Sequence, residues 1–196
     1  MDLTSRIDQI FHQSIQAKES SRLVLSNQLS LASNVMADAL RAGNKIMACG
    51  NGGSAADAQH FSAELINRFE RERKPLAAIA LTTDSSTLTS IGNDYAFEQV
   101  FAKQLDALGN EGDILLAIST SGNSGNVREA VTKAQHKKIR VVGLIGNNGG
   151  EIGSILGSDD INICVPQEKT ARIQEVHLLC LHCLCDGIDN IIFGEE

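Results

Sequence analysis

A continuous apolar run, Ile114-Leu-Leu-Ala-Ile118, is too short for a buried helix and ends abruptly in Ser119-Thr120-Ser121-Gly122-Asn123-Ser124. Such a run, with no polar alternation, predicts a strand covered on both faces, and the hydroxyls and glycine behind it predict entry into a helix. The junction leaves first-turn N–H groups without partners at the positive end of a helix dipole. Two readings follow: an ordinary Ser/Thr cap, or a seat for one phosphate group. The hydroxyls of Ser119, Thr120, Ser121 and Ser124, crowded into six residues, favour the phosphate. The loop holds no lysine and the chain lacks G-x-x-x-x-G-K-[ST], so a small phosphorylated metabolite is expected rather than a nucleoside triphosphate with magnesium.

The rest of the chain alternates helix and strand around that run. Residues 3 to about 42 carry helical periodicity and predict one or two long helices closed by Gly43-Asn44. Lys45 to Cys49 reads as a strand, and Gly50-Asn51-Gly52-Gly53-Ser54 as a glycine-rich turn opening a helix to about Phe69. Arg68 to Lys74 reads as a solvated connector, Leu76 to Thr83 as a second buried strand, and Ser85 to Gly92 as a short helix or turn. Asn93-Asp94-Tyr95 is expected to cap a helix reaching Leu108. Beyond the serine loop come a helix over 127–138, a strand over 140–145, a second glycine-rich loop over 146–150, a strand over 161–165 stopped by Pro166, and a final helix over 170–193 broken only at Gly187. This order predicts one α/β domain over 1–196: a doubly wound, five-stranded parallel sheet in a flavodoxin-like three-layer arrangement, with residues 1–43 as a helical extension. Ligands of such sheets sit at the carboxyl ends of strands, where the three Gly/Ser/Asn loops fall.

Charge and composition narrow the partners. With 17 Lys and Arg against 24 Asp and Glu, a net charge of -7 argues against nucleic acid or an anionic membrane, so a phosphate would be held by local dipoles and hydroxyls. The N-terminus lacks the apolar core of a signal peptide, and no apolar run is expected to span a membrane, which points to the cytoplasm. Five cysteines, an odd number, suit a reducing compartment. Cys180, Cys183 and Cys185 read as core packing, since a zinc knuckle needs a second pair.

Four further positions carry candidate chemistry. His60 and Glu64 are four apart and share a helix face, which suits an exposed ion pair, a divalent metal, or a general base. On the last helix Gln174, Glu175, His177 and His182 are the polar candidates, with His177 read as a surface or interface histidine. Gln174 and His182 lie eight apart, roughly 12 Å along the helix, so ligation of one ion by both is tight. Gly50-x-Gly52-x-x-Ala55 also fits a dinucleotide fingerprint, but Asp84 follows Gly50 by 34 residues and the serine loop would have no task.

Together, Cys49-Gly-Asn-Gly-Gly-Ser54, His60-Phe-Ser-Ala-Glu64, Gly92-Asn-Asp94, Ala117-Ile-Ser-Thr-Ser-Gly-Asn-Ser124 and Ala171-Arg-Ile-Gln-Glu-Val-His177 resemble the sugar-isomerase (SIS) domain family, most of all its bacterial phosphoheptose isomerase branch. The likeness spans nearly the whole chain. It implies an aldose–ketose isomerase turning sedoheptulose 7-phosphate into D-glycero-D-manno-heptose 7-phosphate through an enediol, the first step towards ADP-heptose and the lipopolysaccharide inner core. It implies a homotetramer using the N-terminal helices, with zinc at sites built between subunits. By position, Ser119, Thr120, Ser121 and Ser124 hold phosphate; Asn51, Gly52, Gly53, Ser54, Asn93, Asp94 and Gln174 line the sugar. His60, Glu64, Gln174 and His182 form the metal site, and Glu64 and His182 the acid/base pair. Some isomerases of this branch carry an acid where this chain has Ala171, so no carboxylate role transfers there. A relative of the same fold is a non-enzymatic adaptor for a replication initiator; it also resembles this chain at Asn67-Arg-Phe69 and Cys183-Leu-Cys-Asp186, and Glu64 and His182 are the positions that separate the two.

Overall fold

The computed structural model describes residues 2–194, so Met1, Glu195 and Glu196, the ends of the expected domain, lie outside the described residues. The chain runs α1 (Leu3–Arg41), β1 (Ile46–Cys49), α2 (Gly53–Ile66), β2 (Ala78–Ala80), α3 (Ser85–Asp94), α4 (Ala102–Leu108), β3 (Ile114–Ser119), α5 (Gly125–His136), β4 (Arg140–Gly146), α6 (Gly150–Ile155), β5 (Ile161–Val165) and α7 (Thr170–Phe193). All strand pairs are parallel, in the order β2-β1-β3-β4-β5. Every residue of β3 is buried, as its unbroken apolar run requires.

Strand alternation sorts side chains into two apolar layers. Ile46 and Ala48 of β1 join Leu116 of β3, Met36 of α1, Phe61 of α2 and Leu181 of α7 on one face. Met47 and Cys49 join Leu115, Ile91 of α3, Leu105 of α4, Val127 of α5 and Ile152 of α6 on the other. The expected three-layer parallel fold is therefore present. Its switch point lies between β1 and β3, where Cys49 pairs with Ala117 and the chain leaves toward opposite sides of the sheet.

One local expectation is narrowed, one long N-terminal helix where one or two were expected, and several others are corrected. The N-terminal segment is a single helix of 39 residues, about 58 Å long. Its buried positions begin at Ala17, while Leu3, Ile7, Ile10, Phe11 and Ile15 stay exposed. The second strand is only three residues long because β2 is an edge, paired solely along Ile46–Ala48 of β1. Asn93 and Asp94 end α3 instead of capping the next helix; the cap in this region is Asp84, whose carboxylate accepts from the Thr87 N–H and hydroxyl. The loop over 146–150 contains a helical turn and starts α6. The connector is not wholly solvated, since the Arg73 side chain is buried.

The final helix is long and apolar enough to cross a membrane by length and composition, which the sequence reading does not anticipate. Here its apolar side chains form the core with α1 and α2. It runs unbroken through Gly187, where the missing side chain leaves room for Ser33 of α1. Cys180 and Cys185 are buried and unpaired, as packing residues, whereas Cys183 is exposed.

His177 is the clearest departure. It is buried rather than at the surface, with Nε2 3.2 Å from the Ile145 carbonyl and Nδ1 without a partner among the described residues. Burial pushes its pKa down from 6.5 to about 4, opposed by the Ile145 bond. Because the folded value is depressed, the unfolded chain takes the proton first as pH falls. Stability is complete above about pH 6.5 and is lost progressively toward pH 4, by about 3 kcal/mol. Thermal midpoints measured across this range should fall more steeply for the wild type than for His177→Gln; equal slopes would contradict the assignment.

Candidate active site

At the β1/β3 crevice two loops meet. In the first, the Ser54 N–H donates to the Asn51 carbonyl at 2.9 Å, and Gly52, at φ 55°, caps α2. In the second, the Ser119 and Ser124 hydroxyls are 3.0 Å apart and the Ser121 hydroxyl accepts from the Asn123 N–H at 3.1 Å. Ser124 occupies the N-cap of α5 but makes no side-chain cap bond. The plain cap reading thus loses ground, and the first-turn N–H groups stay available to an anion.

The loops are tied together by Asn126, a residue that sequence reasoning leaves without a role. Asn51 and Asn126 exchange two amide hydrogen bonds, each 2.8 Å, and Asn126 is buried. Only the β1/β3 adjacency brings these amides together, so no local pattern signals the pair. The third loop braces the serine loop from outside: the Ile152 N–H donates to the Gly122 carbonyl at 2.8 Å and the Glu151 N–H to Asn123 Oδ1 at 2.9 Å. Gly122 adopts φ 67° and lies against the Gly149 carbonyl, leaving no space for a Cβ.

The titratable candidates gather where α2 lies along α7. His60 Nδ1 is 3.6 Å from Glu64 Oε1, and His60 Nε2 is 3.0 Å from His182 Nε2. The Phe69 ring packs on His182 with centroids 5.4 Å apart. His60 and Glu64 are half-buried, so the pair retains access to a ligand. Asp57, one turn before His60, buries Oδ2 without a partner among the described residues; burial pushes its carboxyl above the usual range and nearby His60 draws it back. Sequence reasoning also passes over this residue.

Gln174 is placed apart from the histidines. Its amide lies over Gly53 at the start of α2, seven residues or roughly 10 Å along that helix from His60. Asn93 and Asp94 sit exposed at the end of α3, with the Asn93 amide donating to Asp94 Oδ1 at 2.8 Å. Among the described residues no group of three or more His, Cys, Asp or Glu side chains is placed to hold a metal ion. The two imidazoles nevertheless converge much as they would on one zinc, whose bonds to nitrogen are about 2.0–2.1 Å. Their donor chemistry fits zinc, and the chain sets two such nitrogen donors side by side.

A family model described as SIS domain matches residues 11–146. A phosphoheptose isomerase of Aromatoleum aromaticum is 60% identical over 196 residues, covering 100% of this chain and 99% of that protein. The solved structure of a phosphoheptose isomerase from Neisseria gonorrhoeae superposes with a TM-score of 0.93 at 49% identity, covering 96% of this chain and 100% of the other. One from Francisella tularensis gives 0.94 at 47% identity over 97% and 100%.

The bracing of the serine loop can be tested at Gly122. In Gly122→Ala a Cβ enters the Gly149 carbonyl at a positive φ, a cost of about 1–3 kcal/mol. Titration with inorganic phosphate should then show roughly tenfold weaker binding or worse. Wild-type affinity would show that the loop geometry does not set anion binding.

Proposed function

Because the chain belongs to the SIS domain family, we propose that it isomerises sedoheptulose 7-phosphate to D-glycero-D-manno-heptose 7-phosphate in the cytoplasm, supplying ADP-heptose for the lipopolysaccharide inner core. The observation that carries this reading is the joining of an anion-ready serine loop to the His60–Glu64–His182 group by the Asn51–Asn126 bridge and the Gln174–Gly53 contact. Full-length likeness to proteins named phosphoheptose isomerase supports the substrate class and an aldose–ketose isomerase.

The reaction moves a proton between C1 and C2 of an open-chain sugar, so it needs a base near both carbons and stabilisation for the developing oxyanion. Ser119, Thr120, Ser121, Ser124 and the α5 N-terminus bind the phosphate. Binding energy at that distant end orients the sugar without competing with the chemistry. Asn51, Gly52, Gly53, Ser54, Asn93, Asp94 and Gln174 line the sugar. Glu64 removes the carbon-bound proton and returns it to the neighbouring carbon. Its carboxylate meets His60 at Nδ1, Nε2 of that ring meets His182, and Glu64 keeps partial exposure through which a substrate can reach it. His182 carries protons to and from the sugar oxygens. His60 and His182 would hold zinc with Glu64 as a further donor, and the ion would supply a Lewis acid for the carbonyl; Gln174, held over Gly53, stays with the sugar.

The working form is a homotetramer. The unpartnered apolar stripe on the first turns of α1, from Leu3 to Ile15, supports this reading, since such a face is suited to another copy of the chain.

Glu64→Gln should lower kcat by roughly a hundredfold to ten-thousandfold while inorganic phosphate still binds. Full activity in that variant would overturn the base assignment. Chelation should slow the wild type and added zinc restore it; an unchanged rate would remove the metal from the account and leave the acid/base pair.

A further inference from the structure

The short connector after α2 contributes to a buried charge pair that reaches the backbone of Glu64 on one side and the helix carrying His182 on the other. Arg73 Nε donates to Asp189 Oδ1 at 2.8 Å, and the two side chains are only 2% and 4% exposed. The shortest of the other guanidinium bonds go to the end of α2: Nη1 donates to the Leu65 carbonyl at 2.7 Å and Nη2 to the Glu64 carbonyl at 2.8 Å, while Nη1 also reaches the Asn67 and Lys74 carbonyls at 3.2 and 3.3 Å. Those of Glu64 and Leu65 are last-turn carbonyls, which have no partners within their helix. Asp189 stands seven residues after His182 on α7, two turns along the same face. Buried Cys185 lies between them, near enough for its thiol to feel Glu64, Asp189 and Arg73 together.

We propose that Arg73 and Asp189 are positioning residues for the isomerisation: their buried ion pair ties the backbone of Glu64 on α2 to the helix that carries His182. The inference rests on the isomerase reading of Glu64 and His182. An arginine suits the task because its planar fork spans two carbonyls and a carboxylate at once, which a lysine cannot do. Asp189 Oδ2 has no hydrogen-bond partner among the described residues, and there Arg73, through Oδ1, is the one cation that meets this buried carboxylate. Neither residue touches substrate. Their effect reaches the chemistry through the distance between base and acid, where small displacements are costly.

The test uses the full chain, with kcat, KM and inorganic phosphate affinity measured separately at a temperature well below each variant's Tm. Asp189→Asn, which keeps the shape and removes the charge, should lower kcat roughly tenfold to hundredfold. KM should stay within about twofold and phosphate affinity unchanged, because the serine loop belongs to other elements. Asp189→Glu, which keeps the carboxylate, should recover most of kcat. Arg73→Lys should lose kcat as Asp189→Asn does, and it serves as the reading if Asp189→Asn fails to fold. Wild-type kcat in either folded Asp189→Asn or Arg73→Lys overturns the proposal, as does equal loss in Asp189→Asn and Asp189→Glu. Glu64→Gln is run beside them: if it is inactive while the clamp variants are fully active, only the clamp fails. If it is active, both fail.

Discussion

Everything in this molecule depends on β1 and β3 lying side by side and in register, with Cys49 against Ala117. Both strands run in one direction, so both carboxyl ends open at the same edge, and the chain departs from them toward opposite faces of the sheet. A crevice follows from that geometry alone. The loop after β1 and the serine loop after β3 are thereby brought within reach of one amide pair, Asn51 with Asn126. Without this register the hydroxyls would sit on one element and the titratable groups of α2 on another, with nothing to hold them at a fixed separation.

Two kinds of electrostatics then divide the work. The chain is acidic overall, so a phosphate bound at the serine loop, as proposed, would rely on the local dipole of α5, unspent N–H groups and hydroxyls rather than on a basic surface. The proposed reacting end would instead rely on groups that change charge, His60, Glu64 and His182, which lie where α2 packs along α7. That packing is apolar through Phe61, Leu65, Leu181 and Leu184, and polar at His60 with His182 and at Arg73 with Asp189. Apolar contact supplies the adhesion, and the two polar contacts select one alignment of the helices.

Much of this is legible in the sequence because it is periodic or local. The buried strand ending at Ser119, the order of helices and strands, and the His60–Glu64 spacing can all be read one segment at a time. What escapes is what depends on distant segments meeting. Asn126 looks like any first-turn residue until β1 is set beside β3, and Arg73 looks solvated in a charged connector until α7 places Asp189 against it. His177 fails for a related reason: helical spacing gives its face on α7 but not that β4 lies under that face. Asn93 and Asp94 resemble a helix start, yet the Asp84 cap one helix earlier draws them into the end of α3. The likeness to phosphoheptose isomerases assigns roles to residues that local patterns leave open, such as Gln174, which this chain holds over Gly53.

The central claim is that Glu64, placed by this fold, carries a proton between neighbouring carbons of a phosphosugar. Its carboxylate is half-buried, not sealed, so a proton taken by it can exchange with solvent before return. The most direct test is conversion of sedoheptulose 7-phosphate in deuterium oxide, with the aldose product read by proton NMR at C2. The account predicts deuterium at C2 with the wild-type protein and neither product nor exchange with Glu64→Gln. Product formed with C2 wholly protiated, or deuterium entering as fast without the Glu64 carboxylate, would contradict it.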